Sequence, residues 1–277
     1  PTRFNSETTK NLARRLAENL EAPFVELPID SFINETVSQI DDLQIPFPSD
    51  MKTLHLTGFM KENIQARDRS TRILATLSSA FGGIFTCNAN KTELTVGYGT
   101  LYGDLSGALA ATADLWKHQI YALGRTLNRY FDKNMIPDEI FTVRPSAELS
   151  ENQDITKGLG DPLIYEYHDF LFRSFIEPWN RITPEEILTW YSKNCLEEKL
   201  GTPVSIKSIF KTHHDFITDL EKWWNLFAGF AVAKRIQAPP LLAVSRRPYG
   251  YDLRESQIAP YYTDTYIHLK NSLLSNG

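Results

Sequence analysis

Charged and hydrogen-bonding residues recur between positions 61 and 149 at spacings that no single helix or strand would require. The stretch contains the segments KENIQARDR, NANKTE, GYGTLYGD, DLWKHQ and RPSAEL. Lysine and arginine side chains bind phosphate groups and can stabilise a departing pyrophosphate, whereas a carboxylate can hold Mg²⁺ or a substrate hydroxyl. The sequence therefore predicts a ligand site in this stretch, with local contacts to anionic groups.

The first of these segments offers a choice between a binding role and an ordinary helix surface. Arg67, Arg69 and Arg72 lie on a predicted helix, where an arginine cluster is commonly a solvated face. Arg67 and Arg69 are about 200° apart on an ideal helix, so only part of the cluster can face one ligand. Arg69 is the stronger candidate. Asn63, near the start of the same helix, can bind a ligand or cap the helix.

Glu93, Lys117 and Ser146 have similar pairs of interpretations. Glu93 follows a predicted strand end, where its carboxylate can hold Mg²⁺ or face solvent. Lys117 can contact a polyphosphate or form a surface ion pair with Asp114, the predicted N-cap of the next helix. The Ser146 hydroxyl can donate to a phosphate or cap a turn after Pro145. Local sequence does not decide between the two interpretations of each residue.

Periodicity and capping residues predict the elements that position these groups. Ser6 precedes a helical apolar pattern that runs to about residue 21, and the segment PFVELPI after it is typical of a short strand. A helix is expected at residues 30–41, the proline-containing DDLQIPFPSD is a predicted linker, and a long helix is expected at residues 61–80. GGIFTCN is expected to be a buried parallel strand that delivers Asn88 to the sheet edge where α/β proteins bind ligands.

Glycine and helical signals dominate the rest of the chain. Gly97, Gly99, Gly103 and Gly107 interrupt helical periodicity and predict an ordered functional loop. Beyond residue 150 the chain is expected to be mainly helical. The predicted helices lie at residues 161–174, 184–192 and 208–236.

Composition limits the classes of protein to which the chain can belong. Its 277 residues carry a formal net charge of −5, which gives no general attraction to nucleic acid or to an anionic membrane. The two cysteines suggest neither a disulfide framework nor a zinc site, and a reducing cytoplasm is expected. No apolar run is long enough for a membrane span. Histidine spacing is not that of a metal site, and the familiar nucleophile and phosphate-loop motifs do not occur.

Taken in order, the segments resemble motifs of the NAD synthetase family, in particular of the synthetase domain of its glutamine-dependent members. The family carries P-[ST]-R-[YF]-x-S, N-[IV]-x-A-R, N-K-[ST]-E, Y-G-D, D-L-x-K and P-[ST]-A-[DE]-L. These motifs stand here at residues 1–6, 63–67, 90–93, 102–104, 114–117 and 145–149. Downstream, AKRIQAPP and SRRPYG look like the family's K-R-x-x-x-P-P segment and the tail that follows it. The resemblance covers nearly the whole chain.

The resemblance implies a fold and a reaction. The fold would be α/β, with a Rossmann-like doubly wound parallel sheet of the ATP-pyrophosphatase type and a mainly helical C-terminal part. Residues 1–150 would form a partial α/β core, and residues 151–277 would form the helical part of the same synthetase domain. The activity would be that of a ligase in NAD biosynthesis: ATP adenylates the nicotinate carboxylate of deamido-NAD, and ammonia derived from glutamine displaces AMP. The implied cofactors are ATP and Mg²⁺.

The resemblance also assigns roles to individual residues. Lys117 and Glu93 would be catalytic, and Glu93 would also be a magnesium ligand. Asn88, Lys117 and Ser146 would contact ATP, while Asp104 would order the loop. The residues carried over for deamido-NAD are Asn63, Arg69, Glu93, Tyr98, Gly99, Thr100, Leu101 and Lys234.

Departures from the family pattern refine these expectations. Leu101 and Ala108 stand where ammonia-dependent members carry a lysine and an aspartate, which indicates the glutamine-dependent branch. Asn88 replaces a usual threonine, and Ala233 replaces a histidine. Neither the S-G-G-x-D-S pyrophosphate loop nor a nitrilase-like glutaminase domain occurs in these residues. We therefore expect a C-terminal part of a longer enzyme, inactive by itself, whose N-terminal glutaminase domain supplies ammonia.

Two other classes of function stay open. One is another ATP-pyrophosphatase amide ligase of the GMP-synthetase kind, and the other is a non-catalytic nucleotide-binding or assembly module. The family forms dimers or larger assemblies, so the resemblance implies a homo-oligomer. The aromatic helix around Trp223 can be a subunit contact or a core helix. Partners among nucleic acids and membranes are not expected.

Overall fold

The chain is mainly helical in the computed structural model, which describes residues 1–250 and 259–275. Its described residues form two compact units that are interleaved along the sequence. The first contains residues 1–85, 102–104 and 121–162, and the second contains residues 86–101, 105–120 and the chain from residue 163 onward. The division at residue 150 that the sequence suggests stays a prediction. No described helix is both long and apolar enough to cross a membrane.

The first unit is built on helices α1 to α4 and one hairpin. Ser6 caps α1 by accepting the backbone N–H of Thr9, as the sequence predicts. The segment expected to be a linker instead forms an antiparallel hairpin in which Phe47 pairs with Asp50. The elements are α1 (Glu7–Asn19), α2 (Asp30–Ile40), β1 (Gln44–Phe47), β2 (Asp50–Thr53), α3 (Gly58–Arg67), a π-helical segment (Asp68–Leu74) and α4 (Ala75–Phe81).

The second unit has a core of aromatic and aliphatic side chains from several helices. The Trp223 ring is 1% exposed and packs edge-on against Phe172, with ring centroids 5.6 Å apart, so it belongs to the core and is not a surface contact. The helix predicted at residues 208–236 is interrupted at Gly229, whose backbone is not helical at φ −104° and ψ −119°. The helices are α5 (Lys91–Val96), α6 (Lys117–Tyr130), which continues into the first unit, α7 (Tyr165–Ile176), α8 (Pro184–Ser192), α9 (Leu196–Leu200), α10 (Ile206–Ile209), α11 (His213–Ala228), α12 (Ala231–Gln237) and α13 (Asp264–Ser275).

The expected doubly wound parallel sheet is not seen among the described residues, where the hairpin is the sheet that forms. The segments PFVELPI and GGIFTCN form no regular secondary structure, and neither joins a ladder. A strand requires backbone bonds to a neighbour, and Val25 and Ile84 are 60% and 74% exposed. A single parallel bridge joins Ala110 to Leu241 in the second unit. The strand predictions at these two segments are therefore wrong for the described chain.

Candidate functional site

Helix α5 is a short helix that is closed at both ends by specific residues. Asn90 accepts the N–H of Glu93 at 2.9 Å, and Glu93 Oε2 accepts the N–H of Asn90 at 3.0 Å, which is a capping box. Gly97 ends the helix in the left-handed region, at φ +65°. A helix this short is marginal in isolation, so its contacts with the rest of the second unit must hold it.

A buried ion pair joins α5 to the segment before α6. Lys91 and Asp114 have no exposed side-chain surface, and Lys91 Nζ lies 2.8 Å from Asp114 Oδ1. The same ammonium donates to Ser245 Oγ and to the carbonyl of Arg247, each at 2.9 Å. Burial raises the pKa of Asp114, but hydrogen bonds from Lys91, Ser245 and Val244 outweigh it and lower that pKa below its usual value. The expected surface pairing of Asp114 with Lys117, and its role as a helix cap, are therefore wrong.

Thr92 and Asp169 cap the start of α6 in place of Asp114. The Thr92 hydroxyl accepts the backbone N–H of Lys117 at 3.3 Å and bonds to the Asp169 carboxylate. Asp169 Oδ2 accepts the backbone N–H of His118 at 2.9 Å and lies 2.7 Å from its Nδ1 atom. A buried carboxylate at a helix N-terminus is favoured by the helix dipole. These contacts fix the position of the Lys117 backbone, from which the side chain extends.

Glu93 and Lys117, the two catalytic candidates, face each other in the second unit. The Lys117 ammonium is 4.0 Å from Glu93 Oε1, and the two side chains are 20% and 18% exposed. Tyr165 donates its hydroxyl to the same oxygen at 3.2 Å, and its ring lies 5.1 Å from the Lys117 ammonium. Glu93 is thus neither an ordinary solvent-exposed glutamate nor solely a helix cap. The arrangement presents one carboxylate and one ammonium at a partly exposed surface.

Lys234 holds the turn at the end of α5. Its ammonium donates to the carbonyl oxygens of Gly97 and Gly99, at 2.7 and 2.6 Å. The neighbouring Arg235 donates to the carbonyl of Thr95 and, at 2.9 Å, to that of Phe227. Cations favour a helix C-terminus because they satisfy its last carbonyls. The AKRIQAPP segment therefore supports the loop at residues 98–101, which contains four of the candidates for deamido-NAD.

The remaining candidates of the second unit differ in exposure. Thr100 is 6% exposed, and Tyr98 and Leu101 are partly buried. The backbone N–H of Tyr98 donates to the carbonyl of Glu93 at 2.8 Å, which ties the start of the loop to α5. Asn88 is exposed, and its Oδ1 atom accepts the Thr86 hydroxyl at 3.0 Å.

Asn63 and Arg69 belong to the first unit. Thr57, not Asn63, caps α3, and the Asn63 amide donates to the carbonyl of Phe59 at 3.0 Å. Burial lowers the pKa of the Arg69 guanidinium, and the nearby carboxylates of Asp104 and Asp68 partly oppose that effect. The Arg69 Nη2 atom is buried and has no hydrogen-bond partner among the described residues.

Ser146 and Arg69 line a cavity of about 420 Å³ in the first unit, together with Glu148. The Ser146 hydroxyl donates to the carbonyl of Gln153 at 2.6 Å and accepts the N–H of Glu148 at 3.1 Å. Both interactions belong to a turn, which agrees with the structural alternative for this serine. The cavity walls also contain apolar side chains from residues 24–29 and 73–77.

Several residues outside the candidate set support the candidates within their own unit. Glu148 is 3% exposed, accepts the Thr9 hydroxyl at 2.6 Å and accepts the N–H of Ser6 at 3.2 Å, so it joins two motifs that are distant in sequence. Its acidic position in P-[ST]-A-[DE]-L was an available signal. Lys91, inside N-K-[ST]-E, was another. Asp169 lies in no recognised motif.

Carboxylates and histidines cluster at one further place among the described residues. Asp41, Asp42 and His55 flank the hairpin of the first unit, and their ligand atoms lie within 4.8 Å of one another. Lys61 already bonds the Asp41 carboxylate at 3.0 Å. Glu93, the predicted magnesium ligand, is not in this cluster.

Comparisons with known proteins relate the chain to one family. A family model described as NAD synthase matches residues 1–209. A glutamine-dependent NAD(+) synthetase of Thermotoga maritima is 33% identical over 187 residues, covering 68% of this chain and 30% of that protein. An NH(3)-dependent NAD(+) synthetase of Helicobacter hepaticus is 31% identical over 202 residues, covering 72% of this chain and 68% of that protein.

The fold has a counterpart among solved structures. The crystal structure of a glutamine-dependent NAD(+) synthetase from Cytophaga hutchinsonii superposes with a TM-score of 0.67 at 19% identity, covering 98% of this chain and 39% of that one. The chain thus spans less than half the length of that protein and 30% of the Thermotoga maritima relative.

Proposed function

Because the chain belongs to the NAD synthase family, we propose that it serves as the synthetase part of a ligase that converts deamido-NAD to NAD with ATP and ammonia. The observation that carries the proposal is the juxtaposition of Glu93 and Lys117, whose charged groups are 4.0 Å apart. A carboxylate and an ammonium at one partly exposed surface are the charges that a magnesium-bound polyphosphate requires.

Lys117 is assigned to the phosphate chemistry. In the first step the nicotinate carboxylate attacks the α-phosphorus of ATP, an acyl-adenylate forms and pyrophosphate leaves. In the second step ammonia attacks the acyl carbon, AMP leaves and the amide forms after loss of a proton. The Lys117 ammonium stabilises the phosphate charge that develops in the first step.

Glu93 is assigned to Mg²⁺. One of its oxygens accepts the N–H of Asn90, whereas the other faces Tyr165 and Lys117. The Oε1 atom is therefore the one that would hold a metal. The bound metal would neutralise phosphate charge.

The other contacts follow the family assignment. Arg69 has the most direct support, because a buried guanidinium nitrogen without a partner suits an anionic or hydrogen-bonding ligand group. Lys234 and Ser146 already bond backbone carbonyls, so any ligand contact of theirs shares those bonds. We assign Asn88, Lys117 and Ser146 to ATP, and Asn63, Arg69, Glu93, Tyr98, Gly99, Thr100, Leu101 and Lys234 to deamido-NAD.

The proposal extends to the whole protein. Leu101 and Ala108 support the glutamine-dependent branch, in which a nitrilase-like glutaminase domain of the same polypeptide supplies ammonia. The complete enzyme would be a cytoplasmic homo-oligomer with a doubly wound parallel sheet.

Ligand titration tests the proposal. We expect deamido-NAD with ATP and Mg²⁺ to raise the unfolding temperature of this chain, because a ligand that binds the folded state stabilises it. Lys117→Met should reduce that response without abolishing it, and Lys199→Met, an exposed lysine on α9, should keep it. We expect weak binding and no turnover by the chain alone.

The alternatives predict different results. A GMP-synthetase-like ligase would respond to xanthosine monophosphate in place of deamido-NAD, and a degenerate module would respond to neither nucleotide. Turnover by this chain alone would show that the S-G-G-x-D-S loop is dispensable.

A further inference from the structure

We propose that Lys91, Asp114 and Ser245 form an anchor that positions Glu93 and Lys117. Lys91 precedes Glu93 within N-K-[ST]-E, and Asp114 precedes Lys117 within D-L-x-K. The two motifs therefore meet through an inner ion pair of 2.8 Å and an outer pair of 4.0 Å. The inference rests on the proposed function only for the identity of the ligand that Glu93 and Lys117, the outer pair, would bind.

Backbone contacts connect the inner pair, Lys91 and Asp114, rigidly to the outer pair, Glu93 and Lys117. The N–H of Lys91 donates to the carbonyl of Leu115 at 2.9 Å, so α5 and the segment before α6 are joined through main chain as well as side chains. Glu93 is within the same short helix as Lys91, and Lys117 begins α6 directly after this segment. A shift at the inner pair must therefore change the separation of Glu93 and Lys117.

Ser245 completes the anchor from a distant part of the chain. Its hydroxyl donates to Asp114 Oδ1 at 2.7 Å and accepts from Lys91 Nζ at 2.9 Å. Its backbone N–H donates to Asp114 Oδ2 at 2.6 Å. The serine of SRRPYG thus contacts both charged partners and fixes their mutual orientation.

The anchor acts indirectly. Lys91 and Asp114 have no exposed side-chain surface, so neither can touch a ligand. A buried ion pair is also a weak source of stability, since apolar replacement of both partners is often neutral. The better explanation for the buried charges of Lys91 and Asp114 is that they fix the geometry of Glu93 and Lys117 beside them. Lys91, Asp114 and Ser245 are therefore positioning residues.

The first test uses Ser245→Ala, which removes one hydroxyl and leaves both charges, with Ser174→Ala as the matched control. Ser174 is 8% exposed, and its hydroxyl donates to the carbonyl of Leu171 in the same helix at 2.7 Å. Hydrogen exchange would be measured at the amides of Lys91, Lys117 and His118. After correction for global stability, we expect these amides to exchange about tenfold faster in Ser245→Ala than in the control. Equal rates would overturn the proposal.

The second test asks whether the anchor acts through Lys117. Affinity for deamido-NAD in the presence of ATP and Mg²⁺ would be measured for Ser245→Ala, Lys117→Met and the double variant. We expect Ser245→Ala to weaken binding about fivefold alone and to have no further effect in the Lys117→Met background. An equal effect in both backgrounds would mean that Ser245 acts elsewhere. If the wild-type chain binds neither nucleotide, the proposed function fails, whereas the exchange rates still decide whether the anchor exists.

Discussion

Lys234 donates a hydrogen bond to the carbonyl oxygen of Gly97 at 2.7 Å, and its side chain lies so close to this glycine that a Cβ on Gly97 would be 2.9 Å from Lys234 Cδ. Helix α12 therefore packs directly against the end of α5. The left-handed conformation of Gly97 and the absence of a side chain are both required for this approach. The loop of deamido-NAD candidates starts from this contact.

Gly97→Ala should destabilise the protein more than Gly158→Ala. Both glycines have positive φ, +65° and +70°, so both variants carry backbone strain of roughly 1 kcal/mol. At Gly97 the new Cβ would also lie 2.9 Å from the Cα of Ala231, whereas nothing lies within 4 Å at Gly158. Urea unfolding would give the difference, which we expect to exceed about 1 kcal/mol. Equal losses would mean that α12 can move away without cost.

Glu148→Gln should weaken the first unit. The Glu148 carboxylate accepts hydrogen bonds from Thr9 and from the backbone of Ser6 at the start of α1, where a negative charge is favoured. Loss of that charge should cost about 1–2 kcal/mol of unfolding free energy. Glu151→Gln, at an exposed site nearby, is the control and should change stability little. Denaturant titration of both variants distinguishes them.

Arg69→Met should separate stability from ligand binding. Burial of the guanidinium lowers its pKa and leaves Nη2 without a partner among the described residues, so its removal should cost little stability or even increase it. Affinity for deamido-NAD should fall. The control is Arg72→Met, because Arg72 is already paired with Asp68. An Arg69→Met variant that binds deamido-NAD normally would remove Arg69 from the site.

The decrease in the free energy of unfolding at acid pH should depend on Asp114. Its folded-state pKa is held below the ordinary value of 3.8, so its ionised form stabilises the folded state above that pH. The contribution is lost as the pH falls below 3.8 toward the folded-state value. Urea unfolding at a series of pH values should show a weaker loss in this window for Asp114→Asn than for the wild type. Parallel curves would contradict the assignment.

Part of the fold could be predicted from local signals. The start of α1 at Ser6 and the helix at Pro184–Ser192 follow from capping residues and apolar periodicity, whereas the buried role of the helix around Trp223 does not. The hairpin was missed because prolines in the segment DDLQIPFPSD favoured a linker. The strands were overpredicted, since an apolar segment becomes a strand only where a neighbour completes its hydrogen bonds.

The sequence predicts which residues belong to the candidate site, but it does not predict which charged side chains contact each other. Local spacing offers Asp114 a surface ion pair with Lys117, the lysine nearer in sequence, but Asp114 is buried with Lys91, and Lys117 lies beside Glu93. Short-range spacing favours contacts within one helix. It contains no information on which distant charges are buried together.

The sequence by itself determined the family, because ordered motifs with specific residue types recur along most of the chain and a family model matches residues 1–209. It also determined which side chains can do chemistry. Only the tertiary structure decided which partner each charge has: Lys91 with Asp114, Glu93 with Lys117, and Lys234 with the carbonyl of Gly97. The physical reason is that burial makes an unpaired charge costly, so the packed chain selects partners across long sequence separations.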